Sequence, residues 1–252
     1  MPVFRIPSEH YFPHPALAEP NGLLGVGSDL HVDRLVLAYR SGIFPWYNEG
    51  QPILWFSPDP RFVLVPTELK VSRSLKQSIR KKRFQIRMDT SFEEVVEQCS
   101  KIKRPGQFGT WITQEMKEAY INLHKKGIAH SIESWEGDTL VGGLYGVCIG
   151  NLFAGESMFA KRDDASKVAF VYFVHQAIRW GIQLIDSQVY TEHLDRFGAK
   201  EISRNDYIQR IQRLVQVHRP FQSWSFDKDF SSVIVLSVED SLLSFNSLYL
   251  LK

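Results

Sequence analysis

The pattern of apolar and polar positions is most regular from residue 113 onward. Apolar residues at helical spacing alternate there with short runs of strand-forming residues, separated by Gly and Asp turns. Thr113 can cap the first helix, Gly127 can end it, and Gly150-Asn151 is typical of a hairpin turn. The predicted elements are a helix over 114–126, strands over 130–135, 140–149 and 152–159, a helix capped by Asp163 or Asp164 that stops at Gly181, a strand over 182–189 and a helix over 207–217.

This order of elements, α-β-β-β-α-β, predicts an α+β domain with a mixed, mostly antiparallel sheet. It is the order of acetyltransferase-like (GNAT-like) folds, an analogy that gives no chemistry by itself. Residues 1–66 differ from the rest because they are rich in Pro, Gly and aromatic residues. Their one predicted helix lies near 32–40 and ends at Gly42, and residues 42–61 read as turns and short strands.

Two polar residues interrupt the apolar strand predicted at 182–189. Side chains of a strand alternate between its faces, so Asp186 and Gln188 would share one face, roughly 7 Å apart. A carboxylate inside an apolar strand is costly unless it is paired or used. Asp186 therefore either pairs with a neighbouring basic residue to fix the core or takes part in chemistry.

Residues 71–87 carry seven basic side chains and no acid. Four of them fall at helical spacing and predict a basic helix face. That face is either simply solvated or a patch that binds a phosphate backbone. The seven residues are Arg73, Lys76, Arg80, Lys81, Lys82, Arg83 and Arg87.

Composition adds few constraints. The chain has 252 residues, which allow one large domain or two moderate ones, and 44% are hydrophobic, enough to bury a core. The net charge of +2 does not by itself indicate a polyanionic partner. Two cysteines, Cys99 and Cys148, suit a reducing cytosol, and we expect a cytoplasmic protein. The N-terminus lacks the apolar segment of a signal peptide, and the longest apolar run, 168–174, is too short to span a membrane. No Cys/His metal spacing and no GxxxxGK[ST] phosphate loop is found.

Several long stretches together resemble the bacterial leucyl/phenylalanyl-tRNA–protein transferases. The resemblance extends from about Phe12 to about Leu214, and its motifs follow the family's order. The stretches are NGLLGVGSDL (21–30), AYRSGIFPWY (38–47), PILWFSPDPR (52–61), GTWITQEMKEAY (109–120), GIAHSIESW (127–135), LVGGLYGVCIGNLFAGESMF (140–159), DASK (164–167) and LIDSQV (184–189).

The resemblance implies an enzyme that moves Leu or Phe, and Met weakly, from a charged tRNA to a protein. The acceptor would begin with Arg or Lys, and the product would enter N-degron proteolysis. The transfer needs no metal and no nucleotide cofactor, and we expect a monomer. The implied organisation is a small N-terminal α/β domain over 1–66, a basic helix and linker region over 67–109, an acetyltransferase-like catalytic domain over 110–220 and a divergent C-terminal tail over 221–252.

The resemblance also implies roles at the reacting end. Asp186 and Gln188 would be catalytic: the Gln188 carbonyl accepts from the attacking amine while its NH₂ donates to Asp186. The pair either transfers a proton or only positions the amine. Glu156 would bind the acceptor's cationic side chain, which a carboxylate selects over neutral ones. The alternative for Glu156 is a strand-edge glutamate that faces water.

The remaining implied contacts are with the donor. An apolar pocket would hold the donor side chain, although each of its candidates is equally explained as plain core: Leu144, Phe153, Met158, Phe173 and Ile185. Four aromatic residues are candidates for stacking on the terminal adenosine: Trp46, Trp111, Tyr39 and Tyr120. The alternative is that these residues tie the two domains together. The basic residues expected on the tRNA backbone are Arg73, Lys76, Arg80, Lys82 and Arg83.

Two other classes of protein compete with this interpretation. An acyl-CoA N-acyltransferase of the same fold would bind pyrophosphate on a Gly-rich turn before the central helix. The turn here, KRDDASK (161–167), has no glycine and two acids that would repel pyrophosphate. A non-catalytic RNA-binding module would account for the basic block but would leave Asp186, Gln188 and Glu156 unexplained.

Overall fold

A small mixed sheet forms the N-terminal part of the protein in a computed structural model, which describes residues 3–102, 110–217, 224–227 and 230. The strand order is β1-β2-β4-β3, with β1 parallel to β2 and the other pairs antiparallel. Helix α1, Val32–Arg40, has the predicted bounds, and Gly42 after it has φ +77°. The strands are β1 (Phe4–Arg5), β2 (Leu23–Val26), β3 (Phe44–Pro45) and β4 (Leu54–Phe56).

A seven-stranded sheet forms the rest, in the order β11-β5-β10-β9-β8-β7-β6. Strand β10 runs parallel to β9, and every other neighbouring pair is antiparallel, which confirms the mixed, mostly antiparallel prediction. The strands are β5 (Arg61–Leu64), β6 (Gln85–Met88), β7 (Ala129–Glu136), β8 (Thr139–Ile149), β9 (Leu152–Ala160), β10 (Leu184–Asp186) and β11 (Lys200–Ile202).

Helices cover both faces of this sheet, so it separates two apolar cores. The alternation of strand side chains assigns Leu184 to one core and its neighbour Ile185 to the other. Thr113 caps the helix after it, as predicted, because its hydroxyl accepts from the Met116 N–H. The helices are α2 (Arg73–Arg80), α3 (Phe92–Ser100), α4 (Gln114–Lys125), α5 (Ala165–Arg179), α6 (Glu192–Asp195) and α7 (Arg204–Leu214).

Several predicted elements differ from those observed. The strand predicted over 182–189 is only Leu184–Asp186, and Gln188 beyond it has φ +63°, so the shared strand face was wrong. The last helix begins and ends three residues earlier than predicted. Asp164 precedes α5 at φ +64° without capping it, because its carboxylate bonds Ser78 and Lys167 instead.

The basic block is also not one helix. Helix α2 ends at Arg80, and Lys82 follows in a left-handed conformation at φ +48°, so Arg83 does not continue the helix face. The sequence reading missed strand β6 and helix α3 between 85 and 100. Strands β5 and β6 pair into the large sheet, whereas the boundaries at 66 and 109 stay predictions.

No described helix is long and apolar enough to cross a membrane. Most of the proposed C-terminal tail lies outside the described residues. Trp224 is described, and its ring stacks on His130 at a centroid distance of 3.7 Å.

Candidate active site

A cavity of about 640 Å³ opens where β9 and β10 separate. Strand β10 pairs with β9 only from Leu152 to Ala154, and the chain turns away after Asp186 while β9 continues to Ala160. Residues of the small sheet close the other side. Eight residues predicted for the site line this cavity: Trp46, Trp111, Leu144, Phe153, Glu156, Met158, Ile185 and Gln188.

Glu156 sits on a bulge of β9. Tyr145 of β8 lies opposite Ser157 and the next residue, Gly146, lies opposite Gly155, so Glu156 is the extra residue between them. Bulges of this kind redirect a side chain, often beside an active site. Here the bulge accompanies a carboxylate that lines the cavity although the residue is only 8% exposed.

Three donors hold the Glu156 carboxylate. Oε1 accepts from the Tyr39 hydroxyl at 2.8 Å and from Gln188 Nε2 at 3.0 Å, and Oε2 accepts from the Tyr120 hydroxyl at 2.7 Å. The two tyrosine hydroxyls also contact each other at 2.7 Å. Glu156 is therefore fixed in place before any substrate binds.

Burial raises the pKa of Glu156 to about 7, even though the hydrogen bonds from Tyr120, Tyr39 and Gln188 favour its ionised form. The nearby Asp186 charge raises the same pKa further. Burial and the Glu156 charge also keep the pKa of Tyr39 and of Tyr120 well above that of a free phenol, so both remain hydrogen-bond donors. The carboxylate thus changes its charge near neutral pH.

Asp186 lies behind the cavity wall in a fully bonded network. Its Oδ1 accepts from Arg61 Nε at 2.8 Å and from the Gln188 main-chain N–H at 2.9 Å. Its Oδ2 accepts from Arg61 Nη2 at 2.6 Å and from the Tyr207 hydroxyl at 2.7 Å. Asp186 and Arg61 are 0% and 1% exposed, so this ion pair is a core interaction.

Arg61 is held from several directions. Burial opposes its charge, but the Asp186 carboxylate and Tyr207 together outweigh that effect and raise the pKa of Arg61. The guanidinium also lies over the rings of Phe44 and Tyr207, at 4.8 and 4.4 Å from their centroids. The sequence left Asp186 either paired with a basic residue or used in chemistry. In the structure it is paired with a basic residue, Arg61, which is far away in sequence.

Gln188 therefore faces a partner other than the one predicted. Its main-chain N–H, and not its side-chain NH₂, donates to Asp186, because the chain leaves the strand and makes an Asx turn there. The side-chain NH₂ donates to Glu156. Because an amide is planar, the Gln188 carbonyl oxygen points away from Glu156 and remains available to a substrate.

The aromatic and apolar candidates divide into cavity and core. Trp46 and Trp111 line the cavity, whereas Tyr39 and Tyr120 are buried and hold Glu156 from the protein side. Phe173 is 0% exposed, does not line the cavity and packs behind Phe153, with their ring centroids 4.3 Å apart.

The sequence did not reveal Arg61 and Tyr207, which bond Asp186 behind the cavity, or two residues that line the cavity, Ser187 and His193. Arg61 ends the quoted stretch PILWFSPDPR, which was the one available signal for it. Tyr207 and His193 carried no signal, since single aromatic residues in amphipathic segments are usually packing residues.

The basic block contacts the start of α5, a helix that contributes Ser166 to the cavity lining. Ser78 of α2 donates to Asp164 at 2.7 Å, just before α5, and Ser166 of α5 lines the cavity. Lys76 is half-buried, and Arg83 pairs with Glu136 at 2.8 Å. The exposed members of the predicted set are Arg73, Arg80, Lys82 and Arg83.

One group of side chains has the composition of a metal site. Ligand atoms of Asp89, His124 and His130 lie within 4.8 Å of one another, away from the cavity. Their ring nitrogens already make hydrogen bonds within the protein: His130 Nδ1 contacts Asp89 Oδ2, inside the group, at 2.7 Å, and His124 Nδ1 contacts the Ala129 carbonyl at 2.8 Å. This arrangement is a satisfied hydrogen-bond cluster.

Comparison with known proteins gives matches to both parts of the chain. The family model described as leucyl/phenylalanyl-tRNA protein transferase matches residues 63–212, and the model of that family's N-terminal domain matches residues 28–59. Among solved structures, a functionally unknown conserved protein from Staphylococcus epidermidis ATCC 12228 overlaps with a TM-score of 0.41 at 10% identity, over 72% of this chain and 68% of that chain.

Relatives with curated names match over nearly their full length. The leucyl/phenylalanyl-tRNA–protein transferase of Anaeromyxobacter sp. (strain Fw109-5) is 55% identical over 91% of this chain and 97% of that protein. That of Myxococcus xanthus (strain DK1622) is 52% identical over 86% of this chain and 93% of that protein. These matches define the protein as an aminoacyltransferase. The chain belongs to the leucyl/phenylalanyl-tRNA protein transferase family.

Proposed function

We propose that this protein transfers Leu or Phe, and Met weakly, from charged tRNA to the α-amine of proteins that begin with Arg or Lys. The product then enters N-degron proteolysis. The observation that carries the proposal is the cavity itself, which combines apolar walls, two tryptophans and a buried carboxylate beside the Gln188 amide, whose carbonyl accepts no hydrogen bond from the described residues. We further propose that the protein acts as a cytoplasmic monomer and that its larger domain has an acetyltransferase-like fold.

The donor fits the apolar part of the cavity. Leu144, Phe153, Met158 and Ile185 offer a wall for an aliphatic or aromatic side chain. Such a wall separates side chains that differ by one methylene by only ~1–3 kcal/mol, which accounts for weak use of Met. Trp46 and Trp111 offer faces for the terminal adenine, where stacking contributes ~1–3 kcal/mol per base.

The acceptor fits the polar part. Glu156 Oε2 accepts only one hydrogen bond from the described residues, so it can accept another from a guanidinium or ammonium group. A cation there would stabilise the ionised form of the Glu156 carboxylate, which burial disfavours, and would therefore lower the pKa of Glu156. Neutral first residues would gain no such interaction, which is the proposed basis of acceptor choice.

The transfer reaction requires mainly that the enzyme align the amine with the ester. A free α-amine has a pKa of about 7.7–8.0, so roughly a tenth is already neutral at pH 7. In this proposal the Gln188 carbonyl oxygen accepts from the attacking amine and aligns it with the ester carbon, and alignment alone can contribute ~7–11 kcal/mol. Asp186 acts as a positioning residue, because its hydrogen bonds to the described residues hold Arg61, Tyr207 and the turn that carries Gln188.

The exposed basic residues of α2 and the following loop offer contacts for the tRNA backbone next to the cavity. Arg73, Arg80 and Lys82 are exposed, and Ser78 of α2 contacts Asp164, two residues before the cavity-lining Ser166. Such contacts are independent of sequence, so any Leu- or Phe-accepting tRNA would serve.

The experiment that tests the proposal compares donors. The protein is mixed with a peptide that begins with Arg and with either Phe-charged tRNA, uncharged tRNA plus free Phe, or acetyl-CoA. We expect a mass increase of one Phe residue with charged tRNA alone. Acetylation of the peptide, or no product with charged tRNA, would overturn the proposal.

A further inference from the structure

Strand β9 lines the cavity with one edge rather than one face. Side chains of a strand alternate between its faces, so a cavity against one face would contact every second residue. All six consecutive residues from Gly155 to Ala160 line the cavity. The cavity therefore runs along the edge of β9 that faces away from β8.

The register identifies which main-chain groups point along that edge. The Lys161 N–H donates to the Val141 carbonyl of β8, so residue 161 faces β8. Main-chain groups of successive strand residues in an antiparallel ladder point to opposite edges. The N–H and C=O groups of Ala160 and Met158 therefore point to the cavity edge.

This edge lacks a strand partner in the part of the chain that the structure describes. Strand β10 pairs with β9 only as far as Ala154 and then turns away at Asp186. On the cavity side, the Met158 and Ala160 main-chain groups have no hydrogen-bond partner among the described residues. A free strand edge binds an extended peptide through main-chain hydrogen bonds.

We propose that this edge of β9 binds the main chain of the acceptor polypeptide as an added strand. The inference rests on the proposed function, which puts the acceptor's α-amine beside Glu156 and Gln188. From there the acceptor would run toward Ala160, which is exposed and leads out of the site. The acceptor would then run parallel to β9. It would occupy the position beside β9 that β10 no longer occupies after Asp186.

The register of the added strand follows from this direction. At about 3.3 Å per residue, the edge from Glu156 to Ala160 extends about 13 Å, enough for four acceptor residues. In parallel pairing, the acceptor residue opposite Phe159 donates its N–H to the Met158 carbonyl and accepts from the Ala160 N–H. With acceptor residue 1 opposite Ser157, the residue that makes both bonds is residue 3.

Main-chain recognition explains how one site can use many proteins as acceptors. Glu156 would select the first residue by its charge, and the edge of β9 would hold the following residues without reading their side chains. The binding also requires the first four residues of the acceptor to be extended and free of the folded body of that protein.

The test uses acceptor pentapeptides that begin with Arg and carry one N-methyl group. Methylation of residue 3 removes the N–H that bonds Met158, whereas methylation of residue 4 removes an N–H that points away from β9. We expect kcat/KM to fall roughly 3- to 10-fold for the first peptide and to change little for the second. Equal values for the two peptides would overturn the added strand.

A protein variant provides the complementary test. Ala160→Pro removes the N–H that faces the cavity, and proline is tolerated where a strand N–H has no ladder partner. The control, Ala160→Ser, keeps that N–H. We expect Ala160→Pro to lower kcat/KM for the unmethylated pentapeptide by the same factor and to leave arginine amide, which has no residue 3, unaffected.

The outcomes separate the inference from the proposed function. If the unmethylated pentapeptide accepts Phe from charged tRNA but neither methylation nor Ala160→Pro matters, the added strand is wrong and the proposed function stands. If that peptide accepts no Phe at all, the proposed function itself is wrong. Thermal melting of both Ala160 variants checks that each remains folded.

Discussion

Removing the charge of Glu156 should stabilise the protein while it impairs acceptor choice. Glu156 is buried, and its pKa is raised from 4.5 to about 7. A carboxyl group whose pKa is raised in the folded state opposes folding when it is ionised. That destabilisation is absent below the unfolded pKa of 4.5 and is complete above the folded pKa of about 7.

The magnitude follows from the same values. One pKa unit corresponds to about 1.4 kcal/mol, so a rise from 4.5 to about 7 corresponds to about 3 kcal/mol at pH 8. Glu156→Gln keeps the shape of the side chain and resembles the protonated form. We expect the variant to exceed the parent in free energy of unfolding by about 2–3 kcal/mol at pH 8 and by almost nothing at pH 4.5.

The assay is urea unfolding, followed by fluorescence, of parent and variant at pH 4.5, 6, 7 and 8. The control is Glu201→Gln, because Glu201 lies exposed on β11 and a change of charge there should alter stability little at any pH. A Glu156→Gln variant that is no more stable than the parent at pH 8, or whose advantage does not depend on pH, would refute this account of the buried carboxylate.

Three further predictions concern the other parts of the site. Asp186→Asn leaves Arg61 buried without its counter-charge, so we expect a loss of about 3–5 kcal/mol in unfolding free energy, measured with urea; unchanged stability would contradict the core ion pair. Trp111→Ala should raise KM for charged tRNA and for a minimal aminoacyl-adenosine donor alike; an effect on full-length tRNA alone would move the adenine elsewhere. Arg73→Ala with Lys82→Ala should reduce the slope of log K against log salt for tRNA by ~1.8, at ~0.9 per lost duplex contact; an unchanged slope would place the tRNA on another surface.

The regular elements were predictable because their signals are local. Helix α4 begins after Thr113, whose hydroxyl caps it, and α1 is followed by Gly42 at positive φ. Strands β7, β8 and β9 follow each other through tight turns, so neighbours in sequence pair in space. In each case a few adjacent residues determine the element.

The geometry of the site was not predictable because it depends on distant residues. Asp186 ends β10 by accepting the Gln188 N–H, and its partner Arg61 lies 125 positions earlier in the chain. The bulge at Glu156 appears only from the register of β9 against β8. A pattern of period two along 182–189 carries neither fact, which is why the predicted strand was too long.

Acceptor choice is the most direct test of the central claim that Glu156 binds the first residue of the acceptor. The measurement is kcat/KM with Phe-charged tRNA for peptides that differ only in a first residue of Arg, Lys or Gln, on the parent and on Glu156→Gln. We predict that the parent prefers Arg and Lys over Gln and that the variant loses about a hundredfold on Arg and Lys alike, with an unchanged donor KM. A variant that keeps the parent's full preference for Arg over Gln would contradict the account.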